Sequence, residues 1–290
     1  ATRPASGAWI ADISSIEDRS RAFARLDSGF SMGRILGPAV AGFLLLISYT
    51  APFYLFAVGA FAVIGLISRQ QSPKLISKQE KKPRLSIFNS KVWPFLLVSA
   101  AFGVCNAALV QTSSFYFQDV IYPNSDNYIT LASVGFMLSA LGILNGQLLI
   151  ADRLQTSPGS LIRLGVVLIF LSLIAIANSS SLVHMYLSLF FYGLGGGMLG
   201  PGISSSLSLS VGKENQGSAS GFLGMVIPIG HVISPLISMP LYMLNPSYPY
   251  YFGSTLMFFS IFFVLSNKRH LWIKEKGYRD QIVLNDSIDL

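Results

Sequence analysis

The chain has 290 residues, of which 52% are hydrophobic and only 11% charged, with a formal net charge of +7. A soluble domain carries about 25% charged residues, so this composition, with a mean hydropathy of +0.56, excludes an ordinary water-soluble protein and points to an integral membrane one. The apolar runs approach the roughly 20 residues a helix needs to cross hydrocarbon and are far longer than the alternating segments of about 10 residues in a barrel, so the expected fold class is all-α integral membrane.

In chain order, the first element is the remnant of a helix ending near residue 13, too short to span, so the sequence reads as starting inside a transmembrane helix. Helices are predicted over residues 24–47 and 52–68. Residues 69–91 follow as a polar linker, with Arg69, Lys74, Lys78, Lys81, Lys82, Arg84 and Lys91 against the single acid Glu80. Pro73 and Pro83 make it the best domain boundary. Further helices are predicted over 92–116, 128–150, 161–177, 182–211, 217–244 and 250–265. The expected organisation is therefore 1–68 as one membrane unit, 69–91 as linker, 92–266 as a second unit and 267–290 as a tail.

Charge placement assigns sides. Under the positive-inside rule the linker is cytoplasmic. The alternate loops are the ones with basic residues: Arg19, Arg21 and Arg25; Arg153 and Arg163; Lys213; and the tail with Lys268, Arg269, Lys274, Lys276 and Arg279. The intervening loops, around Tyr49, Asn124, Ser180 and Pro246, hold no lysine or arginine, and only Arg3 and Arg34 fall inside predicted helices. The positive charge thus reports topology and does not argue for nucleic acid. The single cysteine, Cys105, lies in an apolar run, which rules out an intramolecular disulfide and suits packing.

The chain also repeats itself. At one constant offset Pro4 matches Pro201, Glu17 matches Glu214, Ala22 matches Ala219, Gly33 matches Gly230, Pro38 matches Pro235, Pro52 matches Pro249 and Tyr54 matches Tyr251. An offset this long in apolar sequence reads as two related membrane halves.

Residues 11–22 read A-D-I-S-S-I-E-D-R-S-R-A, and Gly29, Gly33, Gly37, Pro38 and Gly42 follow in the next helix. With the basic linker and the parallel repeat, these residues resemble the major facilitator superfamily, in its twelve-helix drug:proton antiporter branch. The resemblance implies a major facilitator fold fragment running from the end of helix four through helix twelve, in two pseudo-symmetric halves, with a fifth-helix signature of export. One departure is visible: residues 146–155, G-Q-L-L-I-A-D-R-L-Q, keep Asp152 and Arg153 but lack the usual glycine and terminal arginine pair.

Several residues are candidates for function. Gly29, Gly33 and Gly37 share one helix face beside Pro38 and Gly42; they suit either ordinary small-residue packing or a sliding contact between halves, and Gly230 and Pro235 repeat the pattern in part. The resemblance favours Asp12 and Arg19 as a cytoplasmic gate pair, with solvated topology charges as the alternative, and places Asp152 and Arg153 in the second-half copy of the family's motif between helices two and three, on the same gate. Arg34 lies deep in a helix, where an arginine needs a wet cavity or a partner, and His231 is its repeat mate. With Arg3 and with Asp27 on the same face, they form a candidate substrate and proton pathway; a permanent pairing of Arg34 with an acid of the absent helices is the alternative. Asn106, Gln111, Asn145 and Gln147 suit helix-to-helix hydrogen bonds or cavity lining, and His184 a membrane interface. The glycine run at residues 193–202 lacks the strand and lysine of a nucleotide loop and suits close helix packing or a bend.

No metal-ligand cluster or nucleophile motif is present in the sequence, so no metal, cofactor or enzymatic chemistry is expected. The expected function is secondary active transport: proton-coupled efflux of a small organic solute or drug by alternating access. The alternatives are export of an anionic siderophore or metabolite and, in another class, a non-transporting membrane receptor or scaffold. The expected partners are a small-molecule substrate, protons and the lipid bilayer, with no nucleic acid and a monomeric chain. The expected location is the bacterial inner (plasma) membrane, with linker and C-terminus cytoplasmic.

Overall fold

The computed structural model describes residues 10, 21–23, 25–29, 32–33, 44, 48, 50–69, 85–123, 128–148, 154, 156–211 and 215–266. Every regular element among them is helical, in agreement with the expected all-α membrane class. We number the continuous helices α1 (Ala51–Arg69), α2 (Trp93–Tyr116), α3 (Tyr128–Leu144), α4 (Pro158–Ala177), α5 (Leu182–Ser210), α6 (Gln216–Leu244) and α7 (Tyr248–Ser266). Six spans among the described residues are long and apolar enough to cross a membrane, from Trp93–Ile121 to Tyr248–Leu265.

The chain divides into two compact units, one of residues 1–31 with 85–290 and the other of residues 32–84. In the second, α1 exposes apolar side chains on every face, among them Phe53, Phe56, Phe61 and Leu66. A helix apolar all round belongs in lipid or against other membrane helices.

In the first unit the helix ends follow local chemistry. α4 starts three residues before the expected position because Pro158 occupies its first turn and the Ser157 hydroxyl accepts from the Ser160 N–H at 3.3 Å. Ser181 caps α5 in the same way, accepting from the N–H of His184, which is exposed at that helix end. The α5–α6 turn is clamped by Gln216: its amide donates to the Ser208 carbonyl and its Oε1 accepts from the Ser208 hydroxyl, both at 2.8 Å.

α2 outruns its expected end at residue 116, continuing as a π-helical turn over Phe117–Ile121, where the Tyr122 N–H donates to the Phe117 carbonyl at 2.9 Å. Burial drives the extension. Phe117 is fully buried, 5.9 Å centroid to centroid from the Tyr186 ring, and it lies against the backbone of Gly135.

Helix association in lipid relies on close packing and hydrogen bonds, because hydrocarbon chains are as apolar as leucine. α5 shows this best. It runs unbroken through the 193–202 glycine run and Pro201, so the packing expectation holds and the run is no break in the helix. Gly193 and Gly197 press on the carbonyls of Ser139 and Ile143 in α3, while Gly195 meets Gly165 of α4, where a methyl on either glycine would sit 2.8–3.0 Å from the other's carbonyl oxygen. α2 packs on α6 and α7, and α4 on α7. Tyr116 and the fully buried Tyr250 meet edge to face at 5.2 Å, and the hydroxyls of Thr112 and Tyr250 hydrogen-bond at 3.1 Å. Cys105 is buried in this core and its thiol donates to the Gly253 carbonyl at 3.3 Å.

Candidate functional site

Polar groups inside membrane spans are costly and therefore informative. Among the described residues only two carboxylates occur, Asp27 and Asp119.

Asp27 lies on the helical stretch at residues 25–29 and is 6% exposed, beside Ser28 and one turn after the buried Phe23. The Ser28 hydroxyl is used locally, donating to the Arg25 carbonyl at 2.8 Å. The Asp27 carboxylate approaches α5: a methyl built on Gly200 would sit 3.4 Å from Asp27 Oδ2. One turn back along the same face, a methyl on Gly196 would meet the Phe102 ring of α2 at 3.2 Å, and Phe102 stacks on Tyr192 with ring centroids 6.3 Å apart. The acid therefore sits against a side-chain-free strip of α5 bordered by aromatic rings. Asn106, one turn beyond Phe102, is half-buried.

Asp119 lies in the π-helical turn after α2, beyond the end that hydropathy assigns to that helix, and the sequence reading missed it. It accepts from the Tyr242 hydroxyl of α6 at 2.8 Å, while Phe115 and Tyr242 have ring centroids 6.1 Å apart. This bond is the last rung of a seam. Gly230 crosses Gly103 so closely that a methyl on it would lie 2.6 Å from the Gly103 carbonyl carbon. Above that crossing the Ser234 hydroxyl donates to the Val104 carbonyl at 3.2 Å, and the Ser238 hydroxyl donates to Gln111 Oε1 at 3.3 Å. The four-residue spacing 230–234–238–242 is a signal readable in the sequence, but the repeat drew attention only to its first two positions, Gly230 and Ser234, the latter in the place of Gly37. Tyr242→Phe removes the last rung and leaves an exposed carboxylate that water can serve, so it should cost about 1 kcal/mol, read as a lowered thermal midpoint of the purified protein; an unchanged midpoint would show the rung to be idle.

His231, adjacent to that seam, is exposed, with Nδ1 3.1 Å from the Ile227 carbonyl oxygen. Pro235 is half-buried. Gly29 and Gly33 are helical and exposed, and Gly33 belongs to the second compact unit. Arg3, Asp12, Arg19, Arg34, Gly37, Pro38, Gly42, Asp152 and Arg153 lie outside the described residues. Of the other polar helix residues, Gln111 serves the seam, and Asn145 donates to the Leu141 carbonyl of its own helix at 2.9 Å. Gln147 is buried, with Oε1 lacking a partner among the described residues. Those residues include no group of three or more metal-ligating side chains.

The profile of the Major Facilitator Superfamily matches residues 1–235 and again 149–278. The chain belongs to this superfamily. Membership makes it a multi-pass membrane protein of transporter architecture. It is 25% identical over 277 residues to multidrug resistance protein 1 of Bacillus subtilis, covering 93% of this chain and 70% of that one. It is 28% identical to the class C tetracycline resistance protein of Escherichia coli, covering 85% of this chain and 64% of the relative. The quinolone resistance protein NorA of Staphylococcus aureus is also 28% identical, at 90% and 68% coverage. The chain thus spans about two thirds of the length of these superfamily members. Among solved structures, the human organic anion transporter MFSD10 (TETRAN) superposes with a TM-score of 0.74 at 20% identity, over 89% of this chain and 66% of that one, a likeness of fold.

Proposed function

We propose that the protein acts as a secondary active exporter, moving a small organic solute across the bacterial inner (plasma) membrane in exchange for protons by alternating access of its two related halves. The observation that carries this reading is Asp27, a carboxylate 6% exposed on the helical stretch at residues 25–29. A carboxylate positioned where a pathway reaches it from alternate sides is the kind of group that can pass a proton between them. The printed names of the relatives, which concern multidrug, tetracycline and quinolone resistance, support a drug-like solute.

The remaining roles follow from the repeat and the charge pattern. Asp12 with Arg19, and Asp152 with Arg153, serve as cytoplasmic gate pairs around the basic 69–91 linker. Gly33 and Gly37 stand at the repeat offset from Gly230 and Ser234, which form the α2–α6 seam. They therefore serve as the equivalent first-half seam, with Gly29, Pro38 and Gly42 extending it.

The test is efflux from vesicles bearing the full-length protein, comparing a cationic dye with a carboxylate-rich solute, with and without a proton gradient. Gradient-dependent dye export is expected; export of the dye indifferent to the gradient would overturn proton coupling. A second reading, export of an anionic solute, is favoured by the pairing of Arg34 with His231 at the repeat offset, with Arg3 nearby in sequence terms. On that reading the carboxylate-rich solute is exported, and Arg34→Ala abolishes its export with normal membrane insertion; wild-type export by the variant would sink it.

A further inference from the structure

The stretch at residues 21–29 and helix α5 stand in different copies of the internal repeat, on opposite sides of the 69–91 linker, and yet they touch. Phe23 and Asp27, one helical turn apart, are 5% and 6% exposed, so the face they share is covered. On α5 the position facing Asp27 is a glycine, and its α-carbon side is open enough for a carboxylate oxygen to stand 3.4 Å from where a methyl would be. Asp27 lies about 9 Å along its helix from Arg21, and Gly200 about 15 Å from Ser210, at 1.5 Å per residue, so each lies in the half of its helix nearer the basic loops.

We propose that Asp27 on Gly200 is a closing contact between the two halves, in which Gly200 is the positioning residue. Without a side chain, Gly200 lets the Asp27 carboxylate seat against the α5 backbone. Alanine there would only touch Oδ2, whereas a branched or longer side chain would occupy the carboxylate's place. When the halves rock apart, the same contact releases the acid to water, so the seating of one carboxylate follows the opening of the pathway. The inference takes its motion from the alternating access proposed above; the contact itself does not depend on Asp27 carrying protons.

The experiment uses the full-length protein in membrane vesicles, with a protease site added in the linker and Asp27→Cys combined with Gly200→Cys. Cys105 is buried and stays in place. After mild oxidation and linker cleavage, most molecules should keep their halves joined on a non-reducing gel, several-fold more than in an Asp27→Cys, Gly217→Cys control, since nothing lies within 4 Å of a methyl at Gly217. In the unoxidised single Gly200→Cys variant, a membrane-impermeant maleimide applied from the linker side should label position 200 slowly but completely. Cross-linking no greater than the control would remove the contact, and a position 200 that never labels would remove its opening. Should the cysteine pair fold poorly, a double-mutant cycle reads the contact: Gly200→Leu lowers the thermal midpoint, Gly200→Ala does not, and Asp27→Ala recovers at least half of the Gly200→Leu loss, whereas strict additivity would refute the pairing. The cysteine pair holds no carboxylate, so its result is independent of the proton role, which transport by Asp27→Asn reads separately.

Discussion

Gly193→Val is expected to leave almost no folded protein in the membrane. Gly193 stands where α5 crosses α3, and the first carbon of any side chain there would run into the Ser139 carbonyl. The obstacle is backbone on an opposing helix, which cannot rotate aside as the tip of a side chain can. Two further glycines hold the same crossing: Gly142 faces the Phe190 carbonyl, and a methyl on Gly146 would lie 2.6 Å from the Leu194 carbonyl oxygen. Relief at one position therefore disturbs the whole α3–α5 interface. Overpacking of a well-filled core usually costs about 1–3 kcal/mol, and a branched side chain on a helix-to-helix backbone contact falls at or above the top of that range. The comparison is Gly221→Ala on α6, where nothing lies within 4 Å and a helical alanine gains about 0.5–1 kcal/mol over glycine. Membrane-inserted yield and thermal unfolding of the detergent-solubilised protein check both. A Gly193→Val protein with wild-type yield and midpoint would mean that α3 and α5 do not pack as described.

Asp27→Asn should reduce gradient-driven export by about 100-fold or more, the scale on which a positioned proton-transfer group contributes. Asparagine keeps the shape of the side chain and its seat beside Gly200 but neither binds nor releases a proton. The loss should be selective: solute exchange at equal pH on both sides, which needs the halves to move but no net proton flow, should persist. This split separates proton coupling from a merely structural contribution, which would depress both modes together. Full gradient-driven export by the variant would remove Asp27 from the proton pathway.

Helix positions were legible in the sequence because the bilayer sets a minimum apolar length and the loops between spans are polar. The predicted 182–211 and 217–244 helices compare with Leu182–Ser210 and Gln216–Leu244 in the structure. Helix faces were less legible, for a physical reason. In a soluble helix the buried stripe is apolar and the rest polar, but here lipid-facing and core-facing positions are both apolar, so no stripe marks the partner side. Val232 and Leu236, strongly exposed, and Leu173 and Leu189, fully buried, look alike in sequence. What distinguishes faces is small and weakly polar residues, and these were read where the glycine spacing, the repeat or the 193–202 run pointed to them. Gly103 and Ser238 went unassigned for want of any such pointer, and Gly200 was read only as part of its run, without the residue that faces it. Asp119 was missed because the predicted helix stops at residue 116, before the polar Gln118 and Asp119, whereas the π-helical turn is held in place by the tertiary burial of Phe117 and Ile121, which no local pattern encodes.

The glycine crossings of α5 also govern how this protein is free to vary. Between Gly193 and Gly202 its neighbours approach from α3, α4 and α2, so substitutions there meet another helix in most directions. On α6, Val232, Leu236 and Met243 are strongly exposed, so no described neighbour restricts the apolar side chain at those positions. Descendants of this sequence should therefore diverge first along α6 and hold the middle of α5 nearly constant, so that the most monotonous stretch of the chain records its ancestry longest.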